Sequence, residues 1–346
     1  MADVRIGLVG SGYMALTYAE AIAKYVKGAR LGAIAGGRRA PVLAAEYGVE
    51  AVPEVESLIR RSDIDAVVLA TPDQFHHEET LQAAAAHKHV LVEKPMAPAV
   101  AQCNEMIAAC QSAGVNLAVV KTERYRDLTL RVKKLIEEDA IGQVSMLRTG
   151  SFFPDTVRKE LLSSRLWYAD PRSGGLFLSM ASHNADFLLW LIGSAAKRVY
   201  AQMQTYSAID PPRMSTMANI AFENGVMADM WISTEIPAPG FPESEFCFQI
   251  VGRKGIIDFD AYTHLDLGAE GQWKRDFTPP QFDYLKNPKS PVRLEPHVRV
   301  VQEFVSSVQE NRPPEVGGEA GRAAVEICEA CVISARTGNS VTLPLS

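Results

Sequence analysis

Cysteine is scarce in this chain: five residues, Cys103, Cys110, Cys247, Cys328 and Cys331, in a sequence of 346. That number and spacing build no disulfide framework, and they fit a reducing compartment. Long apolar runs are missing too, since no segment reaches the ~18 residues that a membrane-spanning helix needs. The first apolar run begins at Val4, which leaves no room ahead of it for a signal peptide, so a cytoplasmic setting is expected. Basic residues form no stripe. Thirty-five Lys and Arg stand against 41 Asp and Glu, net −6, which argues against nucleic acid and anionic membrane as partners. What remains is an ordinary globular composition, 47% hydrophobic and 22% charged, long enough for two domains with a sizeable core.

Among what is present, the first informative stretch is the apolar run Val4 to Val9, followed by Gly10-Ser-Gly12-Tyr13-Met14-Ala15 and a helical pattern through Tyr25. Strand, G-x-G-x-x-A, helix is the order a dinucleotide-binding turn requires. Gly10 permits the tight turn, Gly12 lets the backbone approach a pyrophosphate, and Ala15 allows close helix–strand packing. The amides around Tyr13 and Met14 then open a helix whose positive end faces phosphate. The bland alternative is a tight turn with no ligand.

The second strand, Arg30 to Ala35, runs into Gly36-Gly37-Arg38-Arg39. An acidic residue for the ribose 2′-hydroxyl of NAD is missing at this point. Small residues leave space for a 2′-phosphate, and arginine forks can pair with it, so NADP is favoured and NAD stays open. Helices at Ala40–Tyr47 and Val55–Arg61 follow. The strand Asp65–Ala70 ends at Thr71-Pro72-Asp73, and a helix over Glu78–Ala86 leads to the strand His89-Val-Leu-Val and the charged pair Glu93-Lys94 before Pro95. A helix at Ala99–Ala113 and a strand at Val115–Val120 complete a doubly wound parallel sheet, whose ligand belongs beyond the strand ends. Thr71, Pro72, Glu93 and Lys94 occupy neighbouring crevice positions there. Judged alone, Glu93 and Lys94 are either a solvated loop pair or the reacting end of a site. Adjacent His76 and His77 point in different directions on a helix, which favours a cap or pocket wall over a metal site, and no metal is expected.

From Thr122 the alternation stops. Leu128–Asp139 reads as a helix. β-rich runs follow at Val144–Phe153, Arg198–Tyr206, Met214–Phe222, Val226–Ile236, Glu245–Val251, Ile256–Asp260 and His264–Leu267. Asn224-Gly225 is a hairpin signal. The expected architecture is an N-terminal Rossmann domain, residues 1–122, and an α+β domain, residues 123–346, with a large open, mainly antiparallel sheet. Proline-rich Gln272–Pro296 reads as a loop, and His297–Gln309 and Glu319–Thr337 as the last helices. Cys328 and Cys331 fall in the last of these and read as packing. Gly174-Gly175 opens a helix over Leu176–Ile192, on which Ser179, His183 and Asp186 share one face. A polar line between Leu176, Met180 and Phe187 suggests a face turned to a pocket. Arg124, Tyr125, Arg165, Trp167 and Tyr168 flank that helix in sequence. They suit a hydroxylated or carboxylated ligand, and each suits core or surface equally well.

With these residues in view, the chain resembles the Gfo/Idh/MocA oxidoreductases, the family of glucose–fructose oxidoreductase and inositol dehydrogenase. Gly10-x-Gly12-x-x-Ala15, Thr71-Pro72-Asp73, His76, Lys88 to Pro95, Gly114 to Val120 with Arg124-Tyr125, and Ser334 to Pro344 carry the likeness over nearly the whole length. The resemblance implies that Lys94 contacts the reacting hydroxyl beside the nicotinamide, that Lys94–Pro95 is cis, and that subunits pair through the open sheet as a homodimer or homotetramer. Taken with the residue patterns above, it places Gly10, Gly12, Tyr13, Met14, Gly36, Gly37, Arg38, Arg39, Thr71, Pro72, His76, Glu93 and Lys94 on the cofactor. It places Lys94, Arg124, Tyr125, Trp167, Ser179 and His183 on the substrate. His183 and Asp186 match the family's G-G-x-x-x-D-x-x-x-H-x-x-D helix, whereas Ser179 stands where its first aspartate belongs. Serine carries no charge to stabilise a protonated lysine, so Lys94 and His183 are expected to do the proton chemistry while Ser179 positions substrate. The implied activity is NAD(P)-linked oxidation or reduction of a sugar, cyclitol or related polyol. Competing readings are transient oxidation during glycoside cleavage, an aromatic dihydrodiol dehydrogenase, and a non-enzymatic NADPH sensor.

Overall fold

The computed structural model describes residues 3–206, 215–241, 246–281 and 286–345. They fall into two compact units, Met1–Tyr125 with Phe282–Arg322, and Arg126–Gln281 with Ala323–Ser346.

The first unit runs β1 (Val4–Val9), α1 (Tyr13–Lys24), β2 (Ala29–Ala35), α2 (Ala40–Tyr47), β3 (Glu50–Val52), α3 (Val55–Ile59), β4 (Ala66–Leu69), α4 (Asp73–Ala85), β5 (His89–Val92), α5 (Val100–Ala113) and β6 (Leu117–Val119). The strands are parallel, in the order β3-β2-β1-β4-β5-β6. The order reverses between β1 and β4, which is where an open sheet of this kind leaves a ligand crevice. Ile6, Leu8, Ile34, Val68 and Leu91 are fully buried in one core cluster, each worth ~1.5–3 kcal/mol over an exposed position.

The second unit begins with α6 (Asp127–Glu137), β7 (Val144–Pro154), α7 (Asp155–Ser164), α8 (Gly175–Ile192), β8 (Ala196–Gln204), β9 (Ser215–Phe222) and β10 (Met227–Ile236). It continues through β11 (Cys247–Gly252), β12 (Gly255–Asp260), β13 (His264–Ala269) and β14 (Gln272–Phe277). After these, α9 (Pro291–Gln309) belongs to the first unit, α10 (Gly318–Thr337) contributes residues to both, and β15 (Val341–Thr342) belongs to the second. The sheet has nine strands in the order β14-β13-β12-β11-β7-β10-β9-β8-β15. It is antiparallel except for the β7–β10 pair. The expected hairpin joins β9 to β10, with Gly225 at φ 85°.

Several elements depart from the sequence reading. The stretch Gln272–Pro296 is not one loop: it contains β14 and the first residues of α9. Residues 272–275 of β14 are exposed on both faces of the strand, so no apolar alternation marks it. Pro291 starts α9 at a position where a missing N–H costs nothing, and Pro296 lies inside the helix. The short strands β3 and β15 and the helix α7 were not expected, and α4 begins five residues before the expected Glu78, at Asp73. The compact units also differ from a single boundary at 122/123, because Phe282–Arg322 returns to the first unit. Of the expected strand ends, Met214 and Glu245 lie outside the described residues.

Candidate active site

The turn after β1 has the geometry its glycines predict. Gly10 sits at φ +114°, and a Cβ there would lie 2.6 Å from the Ala70 carbonyl oxygen. Its N–H donates to Ala35 O at 2.7 Å, which fastens the turn to the end of β2. At Gly12, the residue preceding α1, a Cβ would meet nothing within 4 Å, and no side chain caps the helix. Open space beside uncapped amides is what a pyrophosphate requires, and on this observation the turn fits a nicotinamide dinucleotide. Gly36 and Gly37 both have positive φ, and a Cβ on Gly37 would lie 2.4 Å from Ser11 Oγ. The two glycines thus let the end of β2 close onto the first turn. Arg38 and Arg39 follow, exposed.

Met14 is half-buried against the first core. The ring of Tyr13 lies under a guanidinium that the sequence did not bring to attention, that of Arg293, at 4.4 Å. Arg293 is buried, and it donates to Thr17 Oγ1 at 2.8 Å and to Pro288 O at 2.6 Å. It comes from the segment read as a loop, so no local pattern pointed to it.

Beyond β4 and β5 the polar groups converge. Glu93 is buried. Its Oε1 accepts from the hydroxyl of Tyr18, and its Oε2 accepts from the backbone N–H of Lys94 at 2.8 Å. Burial, and after it the charge of Glu93, pushes the Tyr18 phenol well above its ordinary range. Glu93 is therefore a buried anchor for the lysine's backbone. Lys94 itself is half-buried, and the Lys94–Pro95 bond is cis. Thr71 and Pro72 are half-buried at the neighbouring strand end, and Thr71 Oγ1 donates to Glu79 Oε2 at 2.5 Å. Burial pushes the Glu79 carboxyl up to about 7. His76 is buried, with Nδ1 3.0 Å from Pro95 O and Nε2 2.9 Å from Thr71 O. Both ring nitrogens thus face backbone carbonyls. His77 points elsewhere, to Glu105 at 2.7 Å. Tyr125 donates its hydroxyl to Glu315 at 3.0 Å, and its carbonyl accepts from Arg299 at 2.9 Å. Arg124 follows the buried pair Thr122 and Glu123 and is half-buried.

In the second unit, α8 starts after Gly174 and ends at Gly193 in the left-handed conformation. Its buried Asn184 donates to Thr149 Oγ1 at 2.7 Å and accepts from Ser151 at 3.0 Å, which ties the helix to β7. Ser179, also buried, shares a hydrogen bond of 3.1 Å with the hydroxyl of Tyr168. Trp167 lies against Tyr168, ring centroids 3.8 Å apart, so these residues and Ser179 form one cluster beside the helix. Arg165 is exposed outside it. Half-buried His183 and Phe246 make a T-shaped pair with ring centroids 6.2 Å apart, and Asp186 is buried. No metal-ligating cluster of three or more His, Cys, Asp or Glu occurs among the described residues. Burial pushes the thiols of Cys110 and Cys247 up to about 11 and that of Cys331 well above its ordinary value, as suits packing residues.

Two family models match this chain: an oxidoreductase family NAD-binding Rossmann fold over residues 4–121, and that family's C-terminal alpha/beta domain over 133–343. The chain belongs to the Gfo/Idh/MocA oxidoreductase family. It is an NAD(P)-binding enzyme of the dehydrogenase class. It is 25% identical over 344 residues to 1,5-anhydro-D-fructose reductase of Ensifer adhaerens, 98% of each chain. It is 26% identical over 363 residues to inositol 2-dehydrogenase 2 of Saccharopolyspora erythraea, 99% of this chain and 96% of that one. A crystal structure of the WlbA dehydrogenase from Bordetella pertussis, in complex with NADH and UDP-GlcNAcA, superposes with a TM-score of 0.85. The two are 27% identical, over 100% of this chain and 99% of that chain. Among the described residues no helix is long and apolar enough to cross a membrane.

Proposed function

We propose that this chain catalyses NADP-linked interconversion of a secondary alcohol and a ketone on a sugar, cyclitol or related polyol. The observation that carries this reading is Lys94. It stands at the strand ends of the first unit, next to the crevice of the dinucleotide turn, with its backbone held by the buried Glu93 carboxylate. The relatives named above, a reductase of an anhydro-sugar and an inositol dehydrogenase, support the substrate class.

When bound, the nicotinamide supplies hydride exchange with the substrate carbon. The chain's own residues do the rest. Gly10, Gly12 and the amides of Tyr13 and Met14 would hold the pyrophosphate, and Thr71 and Pro72 would face the nicotinamide end. Lys94 Nζ exchanges the proton of the reacting hydroxyl, with His183 as the second proton-handling group. Ser179 takes part only through hydrogen bonds, as its contact with Tyr168 suggests. Trp167 and Arg124 complete the substrate contacts. Tyr125 joins them only at a cost, because its hydroxyl already donates to Glu315.

NADP is favoured by a strand end without an acid, where two positive-φ glycines precede exposed Arg38 and Arg39. Arg38→Ala with Arg39→Ala should weaken NADPH binding about 10- to 100-fold, the worth of lost charge-assisted hydrogen bonds, while NADH binding barely moves. A wild type that binds NADH more tightly than NADPH refutes the preference. The deciding assay is absorbance at the nicotinamide band with NADP and NAD against sugars, cyclitols and dihydrodiols. In it, Lys94→Ala should lose about 100- to 10,000-fold in kcat, the range for general acid–base groups. Undiminished turnover in that variant would end the proton-transfer role. A second reading follows from the serine at position 179: without a carboxylate there, oxidation could be transient within a glycoside cleavage. Product formation with no net change in cofactor absorbance would identify it.

A further inference from the structure

The histidine on α4 sits in an arrangement that the reaction as described does not use. His76 is 1% exposed, and its two ring nitrogens lie 2.9 Å from the carbonyl of Thr71 and 3.0 Å from that of Pro95. One carbonyl belongs to the loop after β4, the other to the loop after β5, directly behind Lys94. A neutral imidazole has one N–H and donates to one of them, whereas an imidazolium donates to both. One turn along the same helix face, Glu79 accepts from the hydroxyl of Thr71. Thr71 is thus held to α4 through its side chain, and with the proton on Nδ1 His76 holds the carbonyl of Pro95 to the same helix.

We propose that His76 is a positioning residue, a brace that holds the Lys94–Pro95 loop to the Thr71–Pro72 loop and so fixes where Lys94 Nζ stands. The inference rests on the reading of Lys94 as the proton-exchanging group. It departs from the resemblance, which places His76 on the cofactor, because both ring nitrogens face backbone carbonyls here. Positioning errors of about 1 Å at a reacting group cost on the order of 100-fold in rate, so a brace of this kind acts on kcat and leaves cofactor affinity alone.

The two nitrogens can be separated by substitution. The amide nitrogen of Asn falls near Nδ1 of histidine, and that of Gln near Nε2, and each can donate to a carbonyl. His76→Asn therefore keeps the tie to Pro95, His76→Gln keeps only the tie to Thr71, and His76→Ala keeps neither. Hydrogen exchange of residues 94–97 in the unliganded protein should stay near wild type in His76→Asn and rise about 10-fold in the Gln and Ala variants, as protection lost on local opening. With the fastest polyol of the panel and NADPH, kcat should fall least in His76→Asn and about 30- to 100-fold in the other two. The NADPH dissociation constant should move less than about 3-fold in all three. Unchanged exchange in His76→Ala overturns the brace, and so do equal losses in the Asn, Gln and Ala variants. A large rise in the NADPH dissociation constant makes His76 a cofactor contact instead. Lys94→Ala is run beside them. Its retained activity removes the reading of Lys94 while the exchange data still decide the brace.

Discussion

At the scale of single residues, the buried carboxyl of Glu79 carries a stability cost that depends on pH. Burial raises its pKa from 4.5 to about 7. Between these values the folded chain keeps a proton that the unfolded chain has released, so stability falls as pH rises through that window. Below it the cost is absent; above it the cost is complete, about 3 kcal/mol at most for this shift. Gln at this position can still accept from Thr71 through its carbonyl oxygen. Glu79→Gln should therefore match the wild type near the acid end and exceed it at pH 8, as read by urea unfolding at each pH. Parallel pH dependence in the two proteins would show that burial does not hold the carboxyl protonated. Part of this site was visible in the sequence because its contacts are local: Gly10, Gly12 and the Glu93-Lys94-Pro95 run declare themselves by spacing. Tyr18 and Glu93 are 75 residues apart, and Arg293 and Thr17 are 276 apart. No period in a single sequence records such pairings.

At the scale of elements, α8 depends on a polar tie as well as on its apolar sides. Asn184 spans Thr149 and Ser151 of β7 from a fully buried position. Asn184→Ala removes the acceptor of the buried Ser151 hydroxyl and one of the two bonds of Thr149, which still donates to the Cys247 carbonyl, and the cost should be about 2–4 kcal/mol in chemical unfolding. A change under ~0.5 kcal/mol would mean that the helix is held by its apolar contacts alone. The elements that could be read from the sequence are those with a continuous apolar run, such as β1, or with burial at a recurring spacing, such as α5 and β10. Those that could not are edge or polar elements. Only Arg158 of α7 is fully buried, so that helix shows no wide apolar stripe. Strand β14 ends the sheet with four exposed residues in a row. The start of α9 reads as a loop because two prolines fall within its first six residues, although the first of them suits a helix N-terminus.

At the scale of the whole molecule, a sheet needs both faces accounted for, and α8 is tied to one face of the nine-stranded sheet through Thr149 and Ser151. On the other, Met146 and Met227 stand side by side in the β7–β10 register, 47% and 58% exposed, with Met217 60% exposed on the next strand. Two residues further along, Arg148 pairs with Asp229 at 3.7 Å. Met146, Met227, Arg148 and Asp229 line a shallow groove with Tyr200 and Asn219. An apolar patch carrying charges of both signs is suited to a second copy of itself, since a two-fold axis can set each Arg148 beside the partner's Asp229 while the methionines meet. We therefore expect a homodimer or homotetramer joined through this face. Met146→Glu with Met227→Glu places like charges where the two copies would meet. In sedimentation velocity the wild type should run at a multiple of 37.8 kDa and the double variant as the single chain, at about 10–50 µM, where mass action favours a specific assembly. Both should keep the same circular dichroism. A wild type that sediments at the mass of one chain over that range would leave the face without a partner of its own kind.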